Sequence, residues 1–545
     1  MTEPGAAVES GGTRSAGPAV SSRPGRVPFV SGTGHPPVDS DEHRGVVDEA
    51  ERVLLDPALE PVVEMVLRRV GADVYEAAAD DGRVRFRRTP AGSAWAFEVV
   101  ATEGRDPLGD QAVDRFSPVE VERAARWPRR TDNAYPHGYE QVAQLFDSPA
   151  APDLCVIHTA AHYWGDKGGH VGEHGSLDVV QSRAPFLVAG AGVRHDGLVD
   201  RSCRLVDIAP TVLSLLGAEA GVGIGQNGRT RHDAYLARQD GEVVEGLSDG
   251  ALRRPSHAVG FLLDGANANV VHDLLARGEI PNIARLLSMG TAFGHGAMSS
   301  LPTVTLANHT SILTGAHPGH HGILHNAWWD RAAQRQVVTN SPATWLTAME
   351  TLDPGVETVH RAVHRNWPGE LSVSVNEPCD AGADFSVFDL MRRGEEVDRP
   401  PPTAELPHAT EQFVRPVKEY NWSSKVDHTG VEQAVAIWGG RYRGVDYPRP
   451  RFTWCNFTLT DAAFHEGGPH SAIAEAGVRD TDARIGEILA AVEEAGAFDD
   501  TLFFLTADHG MEEADPAVTG DWDVALDESG LAYRDEAFGF VYVNP

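Results

Sequence analysis

Three apolar runs in this 545-residue chain stop at an aspartate: His257 through Leu263 before Asp264, Phe452 through Phe457 just before Asp461, and Leu502 through Thr506 just before Asp508. Each is short and bounded by polar residues or glycine, as expected of a strand buried on both faces. Asp264 is followed by Asn267 and a helix-like stretch from Val270 to Gly278. Strand, acid and helix in succession point to a doubly wound α/β fold, in which sites gather at the carboxyl ends of the strands. The three aspartates are therefore expected along one sheet edge. With 41% hydrophobic residues, the chain can bury the large core such a sheet needs.

A single strand-end aspartate reads equally well as a helix cap or a turn residue. The combination points to a metal. Asp461 and His465 are four residues apart, one helical turn, and Asp508 is followed directly by His509. Carboxylate oxygen and imidazole nitrogen together suit Zn²⁺. A further imidazole, His174, lies in Gly172-Glu-His174-Gly-Ser176. Between these fragments, Leu301 to Gly315 reads as a loop entering a helix. A hydroxyl at Thr305 would meet the free N–H groups and positive end of that helix, a natural phosphate seat. Threonine is a weak nucleophile at neutral pH and needs a divalent cation to activate it. The bland alternative is that Thr303 or Thr305 only caps the helix.

The segments Pro302-Thr-Val-Thr305-Leu-Ala-Asn308-His309 and Thr314-Gly-Ala-His-Pro-Gly-His-His321-Gly-Ile323 resemble the nucleophile region of nucleotide pyrophosphatase/phosphodiesterases, in the alkaline phosphatase superfamily. The resemblance covers residues 257–345 and 452–515, and residues 150–217 resemble the family's carboxyl-terminal third. It implies that Asp264, Thr305, Asp508 and His509 surround one zinc and that Asp461, His465 and His174 hold a second. It also implies that Asn308 donates to a phosphoryl oxygen. Two positions depart from the pattern: Ala307 stands where proline is usual, and Phe464 where glycine is usual, which would narrow the site. In the family the His-Gly-Ser element comes last, whereas here it precedes Asp264, so the order looks circularly permuted. A rearranged chain, or two degenerate half-domains with His174 in an unrelated module, would give the same order. His170 is the alternative ligand, disfavoured because only His174 is followed by Gly-Ser.

The expected architecture is an α/β, alkaline-phosphatase-like sandwich, with a mainly parallel central sheet flanked by helices, a cap insertion and a small α+β element. Residues 1–44, rich in Gly, Pro and Ser, are expected to form a disordered tail. Residues 45–217 would be the permuted carboxyl-terminal part, with the small α+β element at 45–150 and the His-Gly-Ser part at 151–217. Within the small element, Glu49 to Val70 reads as a helix, followed by strands at 73–77, 83–87 and 95–100 with a turn at Asp80-Asp-Gly82. Residues 206–217 read as a helix closed by Gly217. Residues 218–255 read as a flexible linker, and 256–545 as the amino-terminal part, with a cap at about 346–451. Trp328 and Trp329 are placed to stack on a base, though packing is the preferred role.

A formal charge of -33 repels polyanions, excluding nucleic acid in bulk while leaving a small phosphoester able to reach a cationic centre. Cys155, Cys203, Cys379 and Cys455 form no C-x-x-C pair and read as isolated core thiols. No apolar stretch approaches the roughly 18–20 residues that span a bilayer, and Met1 to Ser10 shows no leader pattern. A cytoplasmic location without membrane association is the expectation; no motif speaks to oligomeric state. The reading is a two-zinc phosphoester hydrolase, preferably a phosphodiesterase or nucleotide pyrophosphatase acting through a phosphothreonine on a small phosphoester or nucleotide. A phosphomonoesterase or phosphonate hydrolase is the alternative within enzymes, and a metal-stabilised binding protein outside them. A sulfatase is disfavoured, since no Cys-x-Pro-x-Arg or Ser-x-Pro-x-Arg motif occupies the nucleophile position.

Overall fold

In the computed structural model the strand His257–Leu263 lies at the centre of an eight-stranded sheet, hydrogen-bonded in parallel to Pro450–Phe457 on one side and to Thr501–Thr506 on the other. The structure describes residues 41–164, 169–248, 250, 252–398, 418–537 and 539–544. Every residue of the central strand after His257 is buried, because helices cover both faces. Gly260 is required there: a Cβ would stand 2.3 Å from the Phe504 ring and 2.6 Å from the Trp454 ring, which pack across the strand. Leu371–Val375 and Phe385–Ser386 continue the parallel array outward from Pro450–Phe457. On the far side of Thr501–Thr506, Phe186–Gly190 joins antiparallel, followed by Gly290–Phe293 and Gly197–Val199. The sheet is thus mainly parallel, and residues 186–199 of the early chain are built into it.

The second sheet has seven strands, all antiparallel, in the order Tyr533–Glu536, Phe540–Val543, Leu154–His158, Val63–Gly71, Val74–Ala79, Gly82–Ala91 and Ala94–Gly104. The expected strands at 83–87 and 95–100 fall within the last two and the one at 73–77 overlaps Val74–Ala79, with the turn at Asp80-Asp81. The helix expected from Glu49 to Val70 is instead the helix Asp41–Leu54 followed by the strand Val63–Gly71. Pro57 and Pro61 cannot continue a helix, and Val63 to Leu67 are all buried between neighbouring strands. Val47, Ala50 and Leu54 of that helix pack with Val541 and Val543 in one apolar cluster, so the two ends of the described chain meet.

Of the expected tail, residues 1–40 lie outside the described residues, and 41–44 are helical. Residues 218–255 are not a flexible coil. They contain the hairpin Gly221–Ile224 with Thr230–Ala234, and Arg231, Gln239 and Asp240 are buried. Hydrogen bonds from Arg231 to the Gly241 carbonyl and to Glu242 hold this polar stretch in place. The expected cap at 346–451 also differs, since two of its strands extend the main sheet. Its buried strand Leu-Ser-Val-Ser-Val carries serines whose hydroxyls bond internally, Ser372 to the His360 ring and Ser374 to the Glu377 carbonyl, so its apolar pattern is interrupted. The helix at Ile208–Leu216 ends on Gly217 at φ 83°. All four cysteines are free and buried. No helix among the described residues is long and apolar enough to cross a membrane.

Candidate metal centre

The three central strands end level with one another, which places their acids together. Leu263 pairs with Phe457 and Leu262 with Thr506, and the Asp264 N–H donates to the Phe457 carbonyl at 3.0 Å. The helix Leu459–Gly467 starts on the Asp427 carboxylate, which accepts from the Thr458 and Leu459 N–H groups at 2.8 and 3.0 Å. Thr460 ties that helix start to the Asp264 carbonyl at 2.6 Å. Gly265, at φ 65°, is the only residue type that fits: a Cβ would lie 2.7 Å from Asp461 Oδ1. Its N–H donates to Asp508 Oδ1 at 2.9 Å, leaving Oδ2 directed into the centre.

The histidines share one orientation. Nδ1 of His174 lies 2.9 Å from the Thr303 carbonyl, Nδ1 of His465 is 2.7 Å from the Gly172 carbonyl, and Nδ1 of His509 is 2.9 Å from the Gly510 carbonyl. An Nδ1–H donated to a carbonyl leaves the Nε2 lone pair for a cation. His465 Nε2 lies 3.3 Å and His174 Nε2 4.0 Å from Asp461 Oδ1, and His509 Nε2 is 3.0 Å from Asp508 Oδ2. The rings of His174 and His509 stack at 3.8 Å. Burial and the nearby imidazoles of His509 and His465 hold His174 well below its ordinary pKa, so it is neutral at pH 7, the ligating form. Burial together with the charges of Asp508 and Asp461 pushes the Asp264 carboxyl well above the usual carboxylate range.

Asp264 Oδ1, Asp461 Oδ1, Asp508 Oδ2 and His509 Nε2 are buried without a hydrogen-bond partner. Several orphaned acceptors pointed at one another repel, and a divalent cation relieves that repulsion. The residues therefore fit a metal. Their ligand atoms form overlapping groups within 4.8 Å, including His174/Asp461/His465 and Asp264/Asp461/His509, and His170 with Glu173 approaches His465 in the same way.

All six expected Asp and His ligands are thus together. Thr305 opens the helix Thr305–Thr314, whose N-terminus has no side-chain cap. The loop before it is fastened to the His174 segment: Thr303 Oγ1 accepts from the Gly175 N–H at 2.9 Å and donates to the Ser176 carbonyl at 2.7 Å. Asn308, expected to donate to a phosphoryl oxygen, is engaged by the loop before the helix. Its Oδ1 accepts from the Ser300 N–H, and its amide nitrogen donates to the carbonyls of Ser300, Pro302 and Val304, so the side chain is consumed in shaping the loop. Phe464 packs into the main core instead of narrowing the centre, and Trp328 and Trp329 are buried in the second core. Sequence reasoning gave no role to His309, although its spacing of four from Thr305 was a signal, nor to Glu377, which lies within 2.9 Å of it.

A family model described as "Type I phosphodiesterase / nucleotide pyrophosphatase" matches residues 258–545. The chain is 28% identical over 149 residues to alkaline phosphatase PafA of Elizabethkingia meningoseptica, covering 26% of each protein. It is 27% identical over 287 residues to a pyrophosphatase/phosphodiesterase of Schizosaccharomyces pombe, covering 50% of this chain and 48% of that one. Among solved structures, murine ectonucleotide pyrophosphatase/phosphodiesterase 5 in complex with AMP aligns with a TM-score of 0.36 at 14% identity, over 53% of this chain and 66% of that chain. The chain spans less than half the length of the curated relatives it matches.

Proposed function

This chain belongs to the type I phosphodiesterase / nucleotide pyrophosphatase family, and on that premise we propose that it hydrolyses a small phosphoester, preferably a phosphodiester or a nucleotide pyrophosphate, with Thr305 as nucleophile. The observation that carries the reading is the convergence of Asp264, Asp461, His465, Asp508, His509 and His174, with ligand atoms of Asp264, Asp461, Asp508 and His509 buried and unpaired. Asp461, His465 and His174 would hold one divalent ion, and Asp264, Asp508, His509 and Thr305 the other. Zn²⁺ suits this donor set and, when bound, lowers the pKa of an alcohol and stabilises charge building on phosphoryl oxygens.

The protein's own part is positioning. The loop Leu301–Val304, held by Asn308 and by the Thr303 clamp, presents Thr305 at the helix start. The free N–H groups of that first turn face a phosphoryl oxygen. Oγ of Thr305 attacks phosphorus and gives up its proton to solvent, the bond to the leaving oxygen breaks and that oxygen takes a proton from solvent, and a phosphothreonine remains. Water then attacks the same phosphorus, and Thr305 leaves with its proton restored.

The reading includes a circularly permuted order. What supports it is that the family match begins at the central strand, that residues 186–199 complete the same sheet from the early chain, and that the helix Asp41–Leu54 packs against the strand Phe540–Val543.

The test is turnover of bis-p-nitrophenyl phosphate, p-nitrophenyl phosphate and a nucleotide p-nitrophenyl ester, with zinc and after chelation. Thr305→Ala should lower the rate by at least about 10³-fold while thermal unfolding and metal content stay near wild type. Near-wild-type turnover in that variant rejects the nucleophile. Preference for p-nitrophenyl phosphate would move the assignment to a phosphomonoesterase, and tight zinc binding without turnover would leave a binding protein.

A further inference from the structure

Two polar side chains beside the centre, His170 and Glu173, belong to neither ion assigned above. Their polar atoms lie within 4.8 Å of one another and of His465, and they form no such group with Asp461 or His174. Backbone contacts fix them there. The Val171 N–H donates to the His465 carbonyl at 2.8 Å, and Nδ1 of His465 lies 2.7 Å from the Gly172 carbonyl. Gly172 runs so close to the helix Leu459–Gly467 that a Cβ would stand 2.3 Å from the Phe464 carbonyl oxygen. The same short segment pairs antiparallel with Glu512 and Glu513.

The His170 ring is exposed and lies 4.4 Å from the His465 ring. Glu173 is partly buried, and no hydrogen bond or ion pair engages its carboxyl among the described residues. Burial and then the like charge of Asp461 push that carboxyl above the usual range, and no basic side chain among the described residues offsets them. A partly buried carboxyl without a partner costs free energy that a substrate group bonded to it would recover.

Which substrate group meets this pair follows from the direction of displacement. Attacking and leaving oxygens stand on opposite sides of phosphorus, and a two-ion site clamps one against each ion. Thr305 is placed with Asp264, Asp508 and His509, so the leaving oxygen falls to the side of Asp461, His465 and His174. The remainder of the leaving group then extends past His465 towards His170 and Glu173. A carboxyl and an imidazole exchange hydrogen bonds with hydroxyl groups. They lack the fixed cation with which an arginine or lysine would hold a departing phosphate.

Building on the hydrolase reading above, we propose that His170 and Glu173 line the leaving-group side of the centre and determine its specificity. They select a phosphodiester whose departing alcohol is uncharged and carries further hydroxyl groups, against a pyrophosphate whose departing group is an anion.

The experiment is calorimetric binding to the full-length, zinc-loaded Thr305→Ala protein, which holds substrate without turnover. Two probes share the adenosine 5′-phosphoryl group and differ in what departs: the glycerol diester of adenosine 5′-phosphate, which would release glycerol, and ADP, which would release phosphate. The diester should bind at least about 10-fold more tightly than ADP. Adding Glu173→Arg should shift the ratio of the two dissociation constants towards ADP by at least about 10-fold, the size of one charge-assisted bond. His170→Lys, at an exposed position where folding is not at stake, should shift it the same way, and it decides if the arginine variant fails to fold. A role in folding alone would weaken both ligands alike and leave the ratio where it was. Binding of neither probe, tighter binding of ADP than of the diester, or a ratio moved by neither substitution overturns the leaving-group assignment. If wild type still hydrolyses bis-p-nitrophenyl phosphate, the hydrolase reading survives that result. No turnover of any ester by zinc-loaded wild type overturns both.

Discussion

His320 shows how much a single buried imidazole joins. Its Nδ1 lies 2.5 Å from Asp240 and its Nε2 2.8 Å from Asp147, which in turn receives two hydrogen bonds from Arg88. These side chains come from the small α+β element, the 218–255 segment and the turn after the Thr305 helix. Burial opposes ionisation of Asp147 and Asp240, but His320, Arg88 and Arg238 outweigh it and hold both carboxyls well below the usual range. Burial and Arg238 work against the imidazolium, yet Asp240 and Asp147 raise His320 above its ordinary value. The carboxylates therefore contribute stability above about pH 4, lost as pH falls toward their depressed pKa values. His320 contributes fully below about pH 6.5, and its share is lost as pH rises through its raised pKa. His320→Gln should cost about 3–5 kcal/mol near pH 5–6, and the deficit should shrink as pH increases, as read from urea unfolding of both proteins across the range. A deficit independent of pH would place the role in packing alone. Little of this network was legible from the chain, because Asp147 and Asp240 sit in polar stretches that resemble solvated loop.

At the level of elements, the legible parts were those in which local pattern and tertiary role agree. The three strands that lead to Asp264, Asp461 and Asp508 announce themselves by an apolar run with an acid soon after it, and the sheet places them side by side. Through the region from Pro57 to Val70 a 3.6-residue period can be traced, but two prolines and sheet pairing make it a turn and a strand. Leu371–Val375 and Glu377 were hidden by serines within a buried strand. Asn308 sits in the right motif, and only its hydrogen bonds reveal that it serves the loop. The helix Leu459–Gly467 carries two expected ligands, and its start depends on Asp427, buried at 0% exposure. Asp427→Ala leaves the Thr458 and Leu459 N–H groups without their acceptor and should cost about 1–2 kcal/mol. It should also weaken zinc retention at the Asp461/His465/His174 position, measured as metal content after dialysis, and Asp427→Asn should restore only part of both, since its one amide oxygen replaces two acceptors. Unchanged metal content in the alanine variant would show that the helix start is held by Thr460 instead.

For the whole molecule, the spatial neighbours of the chain ends bear on its order. The helix Asp41–Leu54 and the strand Phe540–Val543 share an apolar cluster, while Ser248, Gly250 and Leu252 are exposed. A chain reopened at residue 250, with residue 545 joined to residue 41 by a short flexible linker, should fold with the same zinc content and a thermal midpoint within a few degrees of wild type. Failure of that variant to bind zinc would count against the permuted reading, since the rearranged order ought to be the ancestral one. The strand Phe186–Gly190 has a different consequence, in the time domain of synthesis. Both its neighbours, Gly290–Phe293 and Thr501–Thr506, are translated after it. It leaves the ribosome with two bare edges, of the kind that pair wrongly with other chains. His174 likewise waits for Asp461 and His465. In the proposed function the centre is assembled only once His509 has been made, so metal capture would mark a chain translated past that residue.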